Sequence, residues 1–530
     1  MGHGFAAVLP ICLVSTLLVL RVDAGPFWQW KLLDPSYFYL FDALNILNLQ
    51  WPGHLAHPGV PVYTLGAAII RLAHPLTPVS SLTDMILAAP EAYLGLISTA
   101  LILMNGLVLW GVGIAKHRVF ASGFVVVVLQ TAPFLSKLIL KRGFLMTPES
   151  MLIAATLALV GVTILALKPG DLERNGDRFA VAFGLAAGFA VAIKLTAAPI
   201  YVLPILVLGT WRSAIVYGIT TTASFVLFLV PAWGSYPEFI DFISEVVIAP
   251  RSGSGSNAGS FDNLDAIIRI LKRPVLNVPL ALSALVLVAT LIIEGLRNGI
   301  RNVELRTLFA IGIAQILQAV FIAKQANAYY MIPSFMLSPL SLVLSLRWLQ
   351  GRLSATIPEF AKTALTAVLT AAVVIGSGTS VWRLDNELRE LKFRAFSSQP
   401  EKFDKCILIF IYAASSPVYA LYLGDRTTGF RFTERLRKVI PVNDFWIDNW
   451  LDQSQLDLRS TEGLVAPGPV LKKAQQSCLY LRGLRPGQIS AFLRRHAPGM
   501  AFDMSCSTPD EPIATAGVDC FGRTSTVKPN

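Results

Sequence analysis

Repeated apolar runs of membrane-spanning length constrain the fold of this chain more than any other feature. A helix needs about 20 mostly apolar residues to cross a bilayer, and residues 5–20, 151–167 and 275–293 are among the stretches that meet this requirement. Charged residues make up 15% of the 530 residues, whereas soluble proteins contain about 25%. The sequence therefore predicts a multi-pass α-helical membrane protein.

The alternation of apolar runs and polar breaks predicts about eleven spans. They end near residues 20, 115, 135, 167, 193, 211, 231, 296, 323, 346 and 382. The first run is followed by small residues that resemble a signal-peptidase site, but it lacks a positively charged n-region, so we interpret it as a retained span. Residues 62–88 are amphipathic and are interrupted by Pro75 and Pro78, which predicts helices lying on the membrane surface.

The composition changes after Trp382, where charge density rises and apolar runs shorten. We therefore predict a membrane domain over residues 1–383, with interfacial helices in a first external loop at 22–88, and a soluble C-terminal domain over residues 384–530. The stretch KCILIFIYAASSPVYALYLGD predicts a buried strand, a turn and a short helix, which favours a small α/β or α+β fold.

Four of the five cysteines lie in the predicted C-terminal domain, namely Cys406, Cys478, Cys506 and Cys520. A Cys506–Cys520 disulfide fits an oxidising compartment, although four cysteines allow three pairings. Reduced, buried thiols fit the sequence equally well.

The formal net charge of +11 is compatible with a nucleic-acid partner or with anionic lipid. No stripe of Lys and Arg interleaved with aromatic residues is found in the sequence, which argues against nucleic acid. The basic residues therefore indicate contact with anionic membrane lipids.

Polar residues interrupt the apolar bundle in four clusters, which the eleven-span arrangement places on or near one membrane face. Charged groups at the centre of a bilayer cost about 3 kcal/mol or more, so they usually have a partner or mark a site. The clusters are Asp34, Tyr37, Tyr39, Asp42, His54 and His57; Lys141, Arg142 and Glu149; Lys194; and Lys324, Tyr329 and Tyr330.

Structural explanations compete with functional ones at several of these positions. Asp34 precedes Pro35, a pattern typical of a helix start. Lys194 could extend its ammonium group to the interface, and Tyr329 and Tyr330 could belong to an interfacial aromatic belt. His54 and His57 have a spacing compatible with metal binding on a helical turn, but the neighbouring prolines and glycines indicate a loop.

Five short motifs in a fixed order resemble the GT-C class of membrane glycosyltransferases. They are LLDPSYFY, HPGVPVY, TPES, KLTAAP and AYYMIP. The nearest branch is the bacterial one related to protein O-mannosyltransferases and lipid A aminoarabinose transferases. The resemblance covers residues 5–345, and the C-terminal domain resembles no family that we can name.

This resemblance implies transfer of a sugar from a polyprenyl-phosphate donor to a hydroxyl of a glycan, lipid or protein acceptor, with inversion at the anomeric carbon. Asp34 corresponds to the proposed catalytic base of the family, and Glu149 to its second acidic position. The sequence departs from the family at Pro35, where the family usually has Glu. It also departs at Lys194, where the order of Thr and Lys is altered.

The resemblance further implies that Lys324, Tyr329, Tyr330, Lys194 and Arg142 bind the donor phosphate. Tyr37, Tyr39, His54 and His57 are then expected to contact substrate. Participation of Mg²⁺ or Mn²⁺ is left open, and no other cofactor is expected.

The implied location is the bacterial inner membrane, with a cytoplasmic N-terminus, an external active site and a periplasmic C-terminal domain. Three other functions remain open: an oligosaccharide ligase or polymerase that uses a lipid diphosphate, a transporter or flippase, and a non-catalytic scaffold.

Overall fold

Long apolar helices dominate the computed structural model of the protein. It describes residues 3–29, 35–54, 59–120, 123–247, 288, 302–322, 328–353, 358–397, 400–411, 416–441, 444–447, 458–483, 486–498, 502–507 and 512–519. Within these ranges, eight helices are long and apolar enough to cross a membrane: Gly4–Asp23, Pro90–His117, Pro148–Ala166, Asp171–Ile193, Trp211–Asp241, Val303–Phe321, Ala328–Gly351 and Thr366–Glu390. The predicted multi-pass helical fold is confirmed.

Two predicted spans have a different form from the one expected. The apolar run that ends near residue 135 forms Gly123–Phe134 and Lys137–Gly143, two segments bent by 72°. The run expected to end near residue 211 forms a 3-10 segment, Leu195–Val202, followed by a short α-helix, Leu203–Leu208. Pro199 lies inside the 3-10 segment, where it removes a backbone donor, and Pro204 lies in the first turn of the α-helix, where proline is tolerated. The span predicted to end near residue 296 lies outside the described residues.

Burial separates central helices from peripheral ones. The apolar part of Ala328–Gly351 is 89% buried and that of Pro148–Ala166 is 78% buried, whereas that of Thr366–Glu390 is only 17% buried. Helix Asp171–Ile193 packs closely on helix Trp211–Leu229 through two glycines spaced four residues apart. A Cβ atom on Gly184 would lie 2.6 Å from the Cβ of Thr220. Small residues at this spacing are typical of membrane helix pairs.

Short helices follow the first span. They are the 3-10 turn Phe27–Gln29 and the α-helices Ser36–Leu47, Val60–Ala73 and Val79–Ala88. The break that Pro75 and Pro78 predicted lies between the last two helices, as expected. Their position on the membrane surface stays a prediction.

A mixed six-stranded sheet forms the C-terminal region. Its strands are β1 (Ile407–Phe410), β2 (Asp444–Ile447), β3 (Leu458–Ser460), β4 (Gly463–Val465), β5 (Leu479–Arg482) and β6 (Ile513–Ala516), in the order β4-β3-β2-β1-β5-β6. Strand β1 pairs in parallel with β2 and β5, and the outer pairings are antiparallel. Helices Pro417–Thr427, Thr433–Leu436, Pro467–Gln476 and Pro486–His496 connect or flank the strands. The predicted strand is β1 and the predicted short helix is Pro417–Thr427, whereas residues 412–415 of the predicted turn lie outside the described residues.

The chain divides into two compact units. The first contains residues 1–21, 55–65 and 97–386, and the second contains residues 22–54, 66–96 and 387–530. Within the second unit, helix Ser36–Leu47 packs on helix Pro417–Thr427. A Cβ atom on Gly424 would lie 2.6 Å from the ring of Phe41, so only glycine permits this contact. The boundary at residues 383 and 384 stays a prediction.

Disulfide bonds occur in the C-terminal region. Cys406 and Cys478 are bonded to each other and directly precede the neighbouring strands β1 and β5. The alternative of reduced thiols is therefore wrong for this pair. Cys506 is also disulfide-bonded, and Cys520, its predicted partner, lies outside the described residues. Cys12 is a free, exposed cysteine.

Candidate active site

Glu149 lies at the buried start of a central helix. The helix Pro148–Ala166 begins after Thr147, with Pro148 at its first position, where a missing backbone N–H has no consequence. A carboxylate in the first turn interacts favourably with the helix dipole. Asn105 of helix Pro90–His117 donates a hydrogen bond to the Ser150 carbonyl at 3.1 Å. The side chain of Glu149 is only 3% exposed, so it needs an ionic partner within the protein.

Lys194 provides that partner. Helix Asp171–Ile193 ends at Lys194, which has an extended backbone with φ −158° and ψ 119°. Its ammonium group donates to Glu149 Oε1 in an ion pair, and its side chain is 3% exposed. The interpretation of Lys194 as an interfacial lysine is therefore wrong. The N–H of Gly59, in the HPGVP motif, donates to the Ile193 carbonyl at 3.0 Å and supports this helix end.

Arg142 approaches the same carboxylate from a third segment. It belongs to helix Lys137–Gly143, whose first turn is capped by the Ser136 hydroxyl. Arg142 Nη1 lies 3.6 Å from Glu149 Oε2, and the arginine side chain is 10% exposed. The two carboxylate oxygens of Glu149 therefore face one cation each.

Two adjacent tyrosines cover both cations. Tyr329 and Tyr330 belong to the 3-10 turn Ala328–Met331, and their ring centroids are 4.5 Å apart at 69°. The ammonium of Lys194 lies 4.7 Å from each ring centroid, and the guanidinium carbon of Arg142 lies 4.6 Å from that of Tyr329. These are cation–π distances. Tyr330 is 5% exposed, which contradicts the aromatic-belt interpretation for this residue.

The charges of this cluster do not cancel. Glu149 carries one negative charge, and Lys194 and Arg142 carry one positive charge each, which gives these three described side chains a formal charge of +1. The electron-rich ring faces stabilise the cations in part. Two buried cations that share one carboxylate, with tyrosine hydroxyls beside them, are chemically suited to bind an anion such as a phosphate group.

Sequence analysis missed two neutral residues that support the cluster. One is Asn105, which contacts the start of the Glu149 helix. The other is Gln318, which is fully buried and donates to the Tyr330 carbonyl at 2.6 Å. A polar amide within an apolar run is the only sequence feature that marks them.

Tyr37, expected to contact substrate, has a structural partner in the second compact unit. Its hydroxyl donates to Glu91 Oε1 at 2.8 Å, and Glu91 Oε2 accepts the Phe27 N–H at 2.7 Å. Burial, followed by the charge of Glu91, holds the pKa of Tyr37 well above its usual value. Tyr39 is also buried, at 1% exposure, and packs edge-on against His54 with ring centroids 5.9 Å apart.

Asp42 organises the loop that contains His54. Its carboxylate accepts the Gly53 N–H at 2.8 Å and the His54 N–H at 3.2 Å, and Asn45 donates to it at 3.3 Å. The side chain is fully buried, and this burial raises the pKa of Asp42 from 3.8 to about 7. Asp42 therefore holds the turn around His54 through two backbone N–H groups.

The structure thus brings together five of the predicted site residues: Arg142, Glu149, Lys194, Tyr329 and Tyr330. Tyr37, Tyr39 and His54 belong to the second compact unit. Asp34, His57 and Lys324 lie outside the described residues. Among the residues that the structure describes, no group of three or more His, Cys, Asp or Glu side chains could hold a metal ion.

Comparison with known proteins shows the fold. No protein-family model and no curated protein matches the chain. A crystal structure of ArnT from Cupriavidus metallidurans bound to undecaprenyl phosphate superposes with a TM-score of 0.50 at 13% identity, covering 95% of this chain and 97% of that chain. Its apo form matches over the same shares at 13% identity, with a TM-score of 0.47. This likeness shows the fold, so the GT-C fold that the sequence motifs implied is confirmed.

Proposed function

We propose that this protein is a membrane glycosyltransferase that uses a sugar linked to polyprenyl phosphate. The buried cluster of Arg142, Glu149, Lys194, Tyr329 and Tyr330 carries this proposal, because it holds two cations and two tyrosine side chains around one carboxylate inside the membrane-spanning helices. The likeness of fold to ArnT, which was crystallised with undecaprenyl phosphate, supports the choice of donor class.

In this proposal Lys194 and Arg142 bind the donor phosphate, and a tyrosine hydroxyl donates to one of its oxygens. Such contacts are stronger where water is excluded than in bulk solvent. Negative charge grows on this phosphate as its bond to the sugar breaks, so the same cations stabilise the transition state. Lys324, expected from the sequence to assist, remains part of the proposed phosphate site.

Glu149 is assigned to holding the cations. Both of its oxygens face positive groups, so the carboxylate is committed to Lys194 and Arg142 and is poorly placed to accept a proton. The second acidic residue predicted from the sequence is therefore proposed as a positioning residue.

Asp34 is proposed as the catalytic base. The acceptor hydroxyl oxygen attacks the anomeric carbon, the bond from that carbon to the phosphate oxygen breaks, and the phosphate departs with the electron pair. The hydroxyl proton passes to Asp34, a step that general-base catalysis accelerates about 10²–10⁴-fold. A single displacement inverts the anomeric configuration. Tyr39, His54 and His57 remain candidates for substrate contact.

The proposed arrangement places this chemistry at the external face of a bacterial inner membrane. The N-terminus is then cytoplasmic and the C-terminal domain periplasmic. The acceptor is a hydroxyl of a glycan, a lipid or a protein.

Mass spectrometry of lipids that co-purify with the protein tests the donor class. We expect a polyprenyl-phosphate species on the wild type, its loss in Lys194→Ala, and its retention in Lys168→Ala. Lys168 is the matched control because its side chain is 51% exposed and pairs with Asp171 at the surface. A lipid diphosphate would instead favour the ligase alternative, and retention of the lipid by Lys194→Ala would contradict the phosphate site.

Asp34→Asn tests the base. The variant should retain the co-purifying lipid but lose conversion of a radiolabelled polyprenyl-phosphate sugar in native membranes. An unchanged rate of conversion would contradict the assignment.

A further inference from the structure

Gln318 connects the two chain segments that carry the proposed phosphate-binding groups. It lies on helix Val303–Phe321 and is fully buried. Its Nε2 donates to the Tyr330 carbonyl at 2.6 Å and makes a longer contact of 3.4 Å with the Thr196 carbonyl. Its Oε1 accepts the Ser334 hydroxyl at 2.5 Å. Both ends of this amide are therefore engaged.

The two carbonyls belong to the segments next to Lys194 and at Tyr330. Thr196 is two residues beyond Lys194, in the 3-10 turn Leu195–Val202. Tyr330 provides one of the two rings that lie 4.7 Å from the Lys194 ammonium. The Nε2 group therefore sets the spacing between the backbone of the lysine segment and the backbone of the tyrosine turn. The ammonium group at the tip of the Lys194 side chain is held by Glu149.

We propose that Gln318 is a positioning residue that holds Lys194 and the tyrosine pair in the geometry needed to bind the donor phosphate. The proposal rests on the function proposed above and adds a residue that touches neither substrate nor cation. Small displacements of a positioned charge reduce binding and catalysis steeply, so the effect of Gln318 should appear in recognition of the phosphate.

The chemistry of the position selects glutamine. Two backbone carbonyls require a donor, and the Ser334 hydroxyl requires an acceptor, and one amide provides both. Glutamate could not donate to the carbonyls. A methionine would match the shape but leave these buried polar groups without their partner, which is costly.

Gln315 offers a matched control on the same helix. It lies one turn earlier, is 6% exposed, and donates from Nε2 to the Ser334 carbonyl at 3.0 Å. Gln315→Met therefore also removes a buried amide that contacts helix Ile332–Leu353. This hydrogen bond does not involve the turn that contains Tyr330 or the segment that follows Lys194.

The experiment compares the binding of undecaprenyl phosphate with that of undecaprenol, its neutral counterpart. Dissociation constants for both lipids would be measured in detergent for the wild type and for Lys194→Ala, Gln318→Met and Gln315→Met. The preference for the phosphate, which is the ratio of the two constants, isolates the phosphate site from general loss of structure. If the role of Gln318 were purely structural, Gln318→Met would weaken the binding of both lipids by the same factor and leave this ratio unchanged.

We expect the preference to fall at least about fivefold in Gln318→Met, in line with the loss of about one hydrogen bond, and to stay at the wild-type value in Gln315→Met. A wild-type preference that is lost in Lys194→Ala but kept in Gln318→Met would overturn this inference alone. A wild type without any preference would overturn the proposed function as well. Should Gln318→Met not fold, Gln318→Asn, which is one methylene shorter, is expected to give the same loss.

Discussion

Replacing Glu149 by glutamine would leave Lys194 and Arg142 close together inside the bundle with no carboxylate between them. Replacing Lys194 by methionine would instead leave Glu149 paired with Arg142, whose charges balance. The two substitutions each remove one charge from the same ion pair. They should nevertheless have unequal effects, because the first leaves two neighbouring cations without the carboxylate they share, whereas the second leaves one oppositely charged pair.

The contact of 3.6 Å between Arg142 Nη1 and Glu149 Oε2 sets the scale of this difference. At an effective dielectric constant of about 20, two unit charges at this distance attract by roughly 4–5 kcal/mol. Removing one partner of a buried pair costs about 3–5 kcal/mol because the other charge remains buried. We expect Glu149→Gln to fall in this range and Lys194→Met to cost less than about 3 kcal/mol.

Unfolding by SDS in mixed detergent micelles, followed by tryptophan fluorescence, would measure the order of the free energies of unfolding. The double variant Glu149→Gln with Lys194→Met should be more stable than Glu149→Gln alone, since it removes one of the two opposed cations. Lys194→Met should weaken binding of undecaprenyl phosphate more than Glu149→Gln does, since only the former removes a proposed phosphate-binding cation. A Lys194→Met variant that is less stable than Glu149→Gln would refute the charge argument.

Three further outcomes can be measured by unfolding. Tyr330→Leu should cost about 1–2 kcal/mol more than Tyr330→Phe, because only phenylalanine retains the cation–π contact; equal losses would contradict this. The pKa of Asp42 is raised from 3.8 to about 7, so the folded state binds the extra proton and stability should fall by at most about 4 kcal/mol as pH rises from about 4 to 7. Asp42→Asn should flatten that slope, and an unaltered slope would exclude Asp42 as its cause. Cys406 and Cys478 are 72 residues apart, so the double substitution Cys406→Ser and Cys478→Ser should lower the free energy of unfolding by about 4 kcal/mol by the chain-entropy model. Cys12→Ser should leave the free energy of unfolding unchanged.

Sequence reasoning identified the charged members of the site because charge in an apolar run is costly and therefore conspicuous. Arg142 and Glu149 lie in a short polar interruption between apolar runs and Lys194 lies within one, and the structure brings the three together with Tyr329 and Tyr330. The pairing itself could not be predicted, since Lys194 and Glu149 are 45 residues apart and no local pattern specifies which cation meets which carboxylate. The family resemblance ordered the motifs but did not specify these contacts.

Neutral supporting residues were not predictable for a related reason. Gln318 donates to two backbone carbonyls, which every residue possesses, so these two partners leave no trace in the sequence. The segment beyond Lys194 was predicted as one regular span because its count of apolar residues is adequate, whereas the structure shows a 3-10 segment followed by a short α-helix. Proline is tolerated in membrane helices where neighbouring groups satisfy the freed backbone carbonyls. The presence of Pro199 and Pro204 in the sequence therefore did not predict that this segment departs from a regular α-helix.

The density of polar groups in residues 32–61 has in part a structural explanation. Tyr37 is committed to Glu91, and Asp42 holds the turn at Gly53 and His54. These contacts stabilise the first loop by themselves, so their presence is no argument for catalysis. Asp34 is the carboxylate of this stretch that the family resemblance assigns to chemistry, and Asp42→Asn becomes its natural control. If the two aspartates have separate roles, Asp42→Asn should alter the pH dependence of stability, while Asp34→Asn should abolish sugar transfer in a protein of normal stability.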